Sequence, residues 1–255
     1  MQAYISKVDV SYSDWAEKNC IFVYFAGCDF MCPYCFSSPI LDFKDEYLKD
    51  LREIKDIIKS FSHSTDSIYI TGGEPCLQKP ALLDILKFSR QLGLETGIQT
   101  NGSNPKVISS IVNSKLVDYI SLDLKAPFDE DTFEKTTRSK TFFKQTRDIM
   151  ESLKETLHLL KLFGSENISI DVRTTIIPSL MFKKEHILRI ASEVKSINCR
   201  WIFQQYTASA GRVLSSSLGG VNPPTSGFLE NLREACLKIY PTLNIIIKTS
   251  DFNSY

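Results

Sequence analysis

Three cysteines, Cys28, Cys32 and Cys35, lie close together with the spacing C-x3-C-x2-C. Thiolate sulfur ligates zinc and iron–sulfur clusters, and thiolates this close in sequence can reach one metal centre from one loop. Three is one short of the four protein ligands in closed structural zinc and ordinary iron–sulfur sites. A [4Fe–4S] cluster held by three cysteines leaves one iron open to an outside ligand, an arrangement for chemistry. A zinc knuckle with a distant fourth ligand, or three core cysteines, are the plainer readings of the same spacing.

Further polar blocks fall where apolar runs end. Gly72-Gly73-Glu74-Pro75 follows Ser67-Ile-Tyr-Ile-Thr71. Glycines let backbone approach a ligand closely, and carbonyls with a carboxylate accept hydrogen bonds from an ammonium. Taken alone, this block is also an ordinary turn. Gln99-Thr100-Asn101-Gly102 ends the next run, and Asp123 and Lys125 end the one after it. Two residues apart, Asp123 and Lys125 share one face of a strand. Opposite charges facing inward are costly unless paired or bound to a ligand, so a structural ion pair is the bland alternative. Arg173 lies in a fourth run, with a bidentate grip on a carboxylate or a surface salt bridge as its two readings. Phe203-Gln204-Gln205-Tyr206 offers amides in a fifth.

C-x3-C-x-aromatic-C after a first strand, followed one unit later by Gly-Gly-Glu-Pro, resembles the signature of the radical S-adenosylmethionine (SAM) superfamily. The resemblance implies a [4Fe–4S] cluster on Cys28, Cys32 and Cys35, with SAM at the open iron and cleavage to a 5′-deoxyadenosyl radical. It implies that Gly73 and Glu74 hold the SAM amino group and that Asp123, Lys125 and Arg173 position its carboxylate and ribose. Tyr34 and Phe36 would flank the adenine. Gly72, Pro75, Thr100, Asn101 and Gln204 complete the expected cofactor-binding set. The order Asn-Gly-Ser-Asn-Pro, Asp-x-Lys-Ala-Pro, Arg-Thr-Thr, Gln-Gln-Tyr is most similar to activating enzymes of anaerobic ribonucleoside-triphosphate reductase. A glycyl radical enzyme partner and a flavodoxin- or ferredoxin-type electron donor follow from that resemblance. Two departures stand out. Phe36-Ser37 replaces the common His-Asn, and Gln99 stands where many activases carry Asp. A small-molecule or tRNA enzyme resembling 7-carboxy-7-deazaguanine synthase is the alternative, and a non-catalytic metal module is a third reading.

The elements that must position these residues are read from periodicity. Strands are expected at 21–26, 66–71, 94–99, 119–124, 168–176 and 201–206. Helices are expected over 45–61, 79–91, 105–114, 139–163 and 183–197, with Gly164 as a stop. Residues 1–20 read as an irregular or edge strand with a turn at 13–15. A Gly/Ser/Pro-rich loop covers 211–224, before a last helix at 226–239 and a strand at 243–247. Alternating strands and helices give a parallel sheet with right-handed crossovers. Six units are too few for an eight-stranded barrel, and the resemblance implies an α/β partial (β/α)6 TIM-like barrel, open on one side. Residues 1–255 read as one domain, with a core of about 20–210 and a C-terminal helix and strand within 225–250. Chemistry belongs at the C-terminal ends of the strands.

Composition sets outer bounds. Of 255 residues, 43% are hydrophobic and 24% charged, an ordinary globular balance. Lys+Arg and Asp+Glu are 30 each, and zero net charge argues against a broad nucleic-acid binder. No run approaches the ~20 apolar residues of a membrane span, and the N-terminus lacks the apolar core of a secretory signal. Seven cysteines, an odd number, fit a reducing cytoplasm better than a disulfide framework. An open-iron cluster implies an anaerobic host. Cys20, Cys76, Cys199 and Cys236 read as structural, and His63, His158 and His186 are assigned no ligand role.

Overall fold

The computed structural model describes residues 1–13, 15, 17–164, 168–208 and 213–249. Asp14 of the expected 13–15 turn, and residues 211–212 of the expected loop, lie outside them. The described strands form one nine-stranded sheet, ordered β3-β1-β2-β4-β5-β6-β7-β8-β9. The strands are β1 (Gln2–Ser13), β2 (Lys18–Phe25), β3 (Leu48–Asp50), β4 (Ser67–Gly72), β5 (Glu95–Thr100), β6 (Tyr119–Asp123), β7 (Ser169–Ile176), β8 (Arg200–Gln205) and β9 (Asn244–Lys248). From β2 through β4 to β9 every neighbouring pair is parallel. The expected strands at 21–26, 66–71, 94–99, 119–124, 168–176 and 201–206 become β2 and β4 to β8, and the C-terminal strand adds to the sheet as β9.

Helices α1 (Leu51–Phe61), α2 (Lys79–Gln91), α3 (Pro105–Asn113), α4 (Glu130–Thr137), α5 (Thr146–Phe163), α6 (Lys184–Val194) and α7 (Ser226–Ile239) complete the chain. The outward side chains of the parallel strands are almost all apolar and fully buried: Val23, Phe25, Ile68, Ile70, Ile98, Ile120, Leu122, Val172, Trp201 and Phe203. They pack into one core with Ile54, Ile58, Leu82, Ile108, Leu153 and Ile187 of the helices. The inward faces carry Phe22, Tyr69, Tyr119, Arg173 and Ile202, which line a cavity of about 250 Å³ together with Lys248 of β9. That β2 and β9 share a cavity shows the sheet curled on itself, the partial barrel expected.

Three expectations change. The N-terminal strand is longer than expected, 12 residues antiparallel to β2 with a register shift between Ile5 and Lys7, and its first three residues also pair with β3; Ala3 and Ile5 are buried. The expected helix at 45–61 begins only at Leu51. Leu48, Lys49 and Asp50 instead pair with Tyr4, Ala3 and Gln2, and the Asp50 carboxylate accepts from Arg52 N to cap α1. The expected helix at 139–163 is α5 alone, preceded by a separate α4. Asp129 caps α4 through Thr132 N, and Arg138 ends it in the left-handed region at φ 45°. A reciprocal capping box between Gln145 and Asp148 starts α5.

Candidate active site

The loop after β2 is tied down by backbone hydrogen bonds on several sides. Gly27 N and Cys28 N donate to Ile40 and Leu41 at 2.8 and 2.9 Å. Met31 N donates to Thr137 O at the end of α4 (3.0 Å), and Ser215 N donates to Pro33 O (2.8 Å). Gly73 N and Glu74 N, at the end of β4, donate to Phe25 O and Gly27 O, both at 2.8 Å. The last contacts explain the double glycine. A Cβ on Gly73 would overlap the Gly27 carbonyl, and one on Gly72, whose φ is 117°, would overlap that of Phe25. Glycine at both positions lets the two loops meet backbone to backbone.

Cys28, Cys32 and Cys35 are free thiols lining one cavity of about 260 Å³ at the C-terminal ends of the strands. Burial raises all three thiols above their ordinary range, Cys32 to about 12, while Lys125 pulls Cys32 and Cys35 back down. Buried thiols that must ionise to act as ligands are supported by a cation at the same wall. No three Cys, His, Asp or Glu side chains among the described residues are gathered closely enough for one ion.

A chain of polar side chains crosses the strand ends beneath the thiols. Thr71 Oγ1 donates to Gln99 Oε1 at 3.0 Å, and Gln99 Nε2 donates to Asp123 Oδ2 at 3.0 Å. Lys125 Nζ donates to the same oxygen at 3.0 Å. Arg173 Nη2 donates to Gln204 Oε1 on the neighbouring strand at 3.1 Å. Burial opposes charge on Asp123, but Lys125 and Arg173 outweigh it and hold the carboxyl below its ordinary value. Asp123 and the Tyr34 and Cys32 side chains raise Lys125 well above the lysine range against the burial that opposes its charge. The pair is ionised in the fold, and the wall presents cations and amides suited to a carboxylate and hydroxyls.

Glu74 is turned away from this cavity. Its carboxylate is fully buried and accepts from Cys76 N (3.0 Å), Thr100 Oγ1 (2.8 Å) and Asn101 N (2.6 Å). Burial, with Asp29 adding to it, pushes its carboxyl up to about 7 against those three bonds. It ties the end of β4 to the end of β5, and it backs the wall without forming it. Asn101 Nδ2 in turn donates to Asp29 Oδ1 of the cysteine loop at 2.7 Å.

Of the residues expected from sequence, the three cysteines, Tyr34, Phe36, Gly72, Gly73, Thr100, Asn101, Asp123, Lys125, Arg173 and Gln204 all line the cavity. Glu74 and Pro75 do not. Thr71, Gln99 and Thr175 line it as well and were not assigned to it, and Gln205 joins Gln204 there from the block read as offering amides. Thr71, Gln99 and Thr175 lie on the same strand faces as Tyr69, Gly97 and Arg173, so two-residue alternation was the signal. The Phe36 ring stacks near Tyr206, with centroids 6.1 Å apart and planes 17° apart.

A family model described as the radical SAM superfamily matches residues 22–170. The chain belongs to the radical SAM superfamily. A Methanocaldococcus jannaschii protein provisionally named a glycyl-radical enzyme activating enzyme is 32% identical over 208 residues, 81% of each chain. A Clostridium pasteurianum pyruvate formate-lyase-activating enzyme is 30% identical over 69% of each. A Thermococcus kodakarensis 7-carboxy-7-deazaguanine synthase is 29% identical over 41% of this chain and 48% of that one. In fold, the chain matches Streptococcus suis SuiB bound to S-adenosylmethionine, with a TM-score of 0.64 and 16% identity. The match covers 89% of this chain and 52% of SuiB, so the chain spans about half that protein's length. Radical SAM proteins use a [4Fe–4S] cluster and SAM. The three-thiol cavity, with its ionised pair and glycine-edged wall, fits both: Cys28, Cys32 and Cys35 for the cluster, and the strand-end wall for SAM.

Proposed function

We propose that this single-domain, cytoplasmic chain generates a glycyl radical on a partner enzyme of the anaerobic ribonucleotide reductase type. Cys28, Cys32 and Cys35 would hold the cluster, which would supply one electron to SAM, so that its C5′–S bond would break to methionine and a 5′-deoxyadenosyl radical able to take a hydrogen atom from a glycine Cα. Gly72 and Gly73 offer backbone to the SAM amino group, while Asp123, Lys125 and Arg173 orient its carboxylate and ribose. Phe36 and Tyr34 bracket the adenine. A flavodoxin- or ferredoxin-type protein supplies the electron.

The observation that carries this reading is the likeness to relatives named as activating enzymes, at 32% and 30% identity over 81% and 69% of this chain. Phe36 lines the cavity and is 40% exposed, so the cavity mouth is open to a protein loop. Gln99 and Phe36 instead favour a second reading, an enzyme of the 7-carboxy-7-deazaguanine synthase kind acting on a small molecule, because both positions depart from the activase pattern.

One experiment separates them. The anaerobically reconstituted, reduced protein is mixed with SAM and the host's candidate glycyl radical enzyme, and EPR and 5′-deoxyadenosine are followed together. A glycyl doublet that grows with nucleoside identifies an activase. Nucleoside formed from a small molecule with no protein partner overturns the activase reading.

A further inference from the structure

Phe142 and Phe143 are 92% and 89% exposed, far more than any other large apolar side chains among the described residues. They are not on a loose loop. Thr141 N donates to Lys144 O at 2.9 Å, and Lys144 N donates to Thr141 Oγ1 at 3.0 Å, closing a tight turn with the two rings at its tip. The rings meet edge to face, with centroids 5.2 Å apart. Below the turn, Glu134 accepts from Lys140 N (3.0 Å) and Thr146 Oγ1 (2.7 Å), clamping both ends of the segment. An exposed apolar pair held in one conformation is the usual mark of a contact surface.

The turn itself is basic. Arg138, Lys140 and Lys144 are exposed with no acidic residue among 138–144, while Arg147 beyond it pairs with Glu130 at 3.3 Å, and Glu134 and Asp148 flank the segment. Such a patch draws in an acidic partner and speeds encounter more than it tightens binding. Its position is also specific. Thr137 O, one residue before the segment, accepts from Met31 N at 3.0 Å, and Met31 lies between Cys28 and Cys32. Phe30 packs edge to face on Phe133 of α4 (6.2 Å). These two contacts join α4, which leads into the basic turn, to the cysteine loop.

We infer that the Phe142–Phe143 turn, with the basic side chains around it, is the docking surface for an acidic one-electron carrier protein that reduces the cluster. The inference rests on reading the three cysteines as the holder of a reducible cluster, and it is independent of the substrate. Small interfaces are usual for such redox encounters.

The test uses the reconstituted protein, with flavodoxin and a [2Fe–2S] ferredoxin as probes. Binding is measured by biolayer interferometry, and cluster reduction by stopped-flow absorbance. Two double variants are compared with the parent: Phe142→Ser with Phe143→Ser, and Lys140→Glu with Lys144→Glu. Both pairs are exposed, and iron content reports that the cluster is in place. The expected result is binding weakened about tenfold or more and equally slower reduction by at least one probe. Dithionite should reduce all three chains at one rate, and parent binding should weaken with added salt. Carrier binding and reduction unchanged in both variants would overturn the inference. So would an equal slowing with dithionite, which places the effect in the fold. Loss of glycyl radical formation with carrier-driven reduction intact would hand the turn to the substrate enzyme and overturn it too.

Discussion

Glu74 Oε2 accepts a 2.6 Å hydrogen bond from the backbone N of Asn101, joining the ends of two neighbouring parallel strands behind the cavity wall. The other oxygen takes Cys76 N and Thr100 Oγ1. Every neighbour that touches the carboxylate through nitrogen is a donor. Glu74→Gln must therefore set an amide NH2 against one backbone N–H in either orientation. The expected loss is about 1–3 kcal/mol of stability, the cost of a buried unsatisfied donor. Urea unfolding measures it. A variant as stable as the parent that had lost SAM binding alone would return Glu74 to the cavity.

The same carboxyl sets a pH dependence. Burial raises it in the fold from 4.5 to about 7. Between those values the folded chain holds a proton that the unfolded chain has released, so stability declines as pH rises. The contribution is whole below about 4.5, is lost through about 7 and is flat beyond, spanning about 3 kcal/mol. His186, lowered by burial, acts in the opposite direction within the same window. The difference between parent and Glu74→Gln isolates the glutamate. Unfolding of the metal-free chain at pH 5, 6, 7 and 8 should show that difference shrinking steadily as pH rises.

Much of the site was legible because its chemistry is carried by residue type. Three cysteines on one loop, a double glycine and inward charges two residues apart each limit what the backbone around them can do. The direction of Glu74 was not legible. A carboxylate after Gly-Gly can face a ligand or its own chain, and the choice depends on where β5 ends. Gln99 was seen only as a departure from a pattern, although its bond to Asp123 makes it part of the wall. In the fold, β3 was hidden because three residues before a helix share its apolar spacing, and only pairing with β1 decides them. Helix α4 was hidden because Phe133 is its one large buried side chain. Its ends are set by Asp129 and Arg138, with little help from periodicity.

The double glycine makes a sharper prediction than its sequence suggests. At Gly73 the obstacle to a methyl group is the Gly27 backbone, which cannot rotate away as a side chain would. Gly73→Ala must push the end of β4 from the cysteine loop and break the bonds from Gly73 N and Glu74 N. A cost on the order of 3 kcal/mol is expected, with iron per chain after reconstitution falling in parallel. Gly93→Ala is the control. It lies at φ 78° but meets nothing within 4 Å, so it should cost only the backbone strain, about 1 kcal/mol, and leave iron uptake unchanged.

Asp123 and Lys125 test the wall itself. Their 3.0 Å pair is partly covered, with side-chain exposures of 21% and 18%, and Gln99 holds the carboxylate from the other side. Lys125→Met removes the cation that supports both Asp123 and two of the thiols. Two losses follow. On the proposed placement of SAM, its affinity should fall about 10–100-fold, or about 1.4–2.8 kcal/mol, because its carboxylate would lose an ammonium and Asp123 loses its partner. Iron per chain should fall less, because Cys32 and Cys35 lose the cation that lowers them but keep their loop. Asp123→Asn should cost less, because Asn can still accept from Gln99 and Lys125. Equilibrium dialysis with labelled SAM on the reconstituted variants reads both. SAM binding unchanged in Lys125→Met, with iron intact, would make the pair structural and move SAM recognition to Arg173 and Gln204.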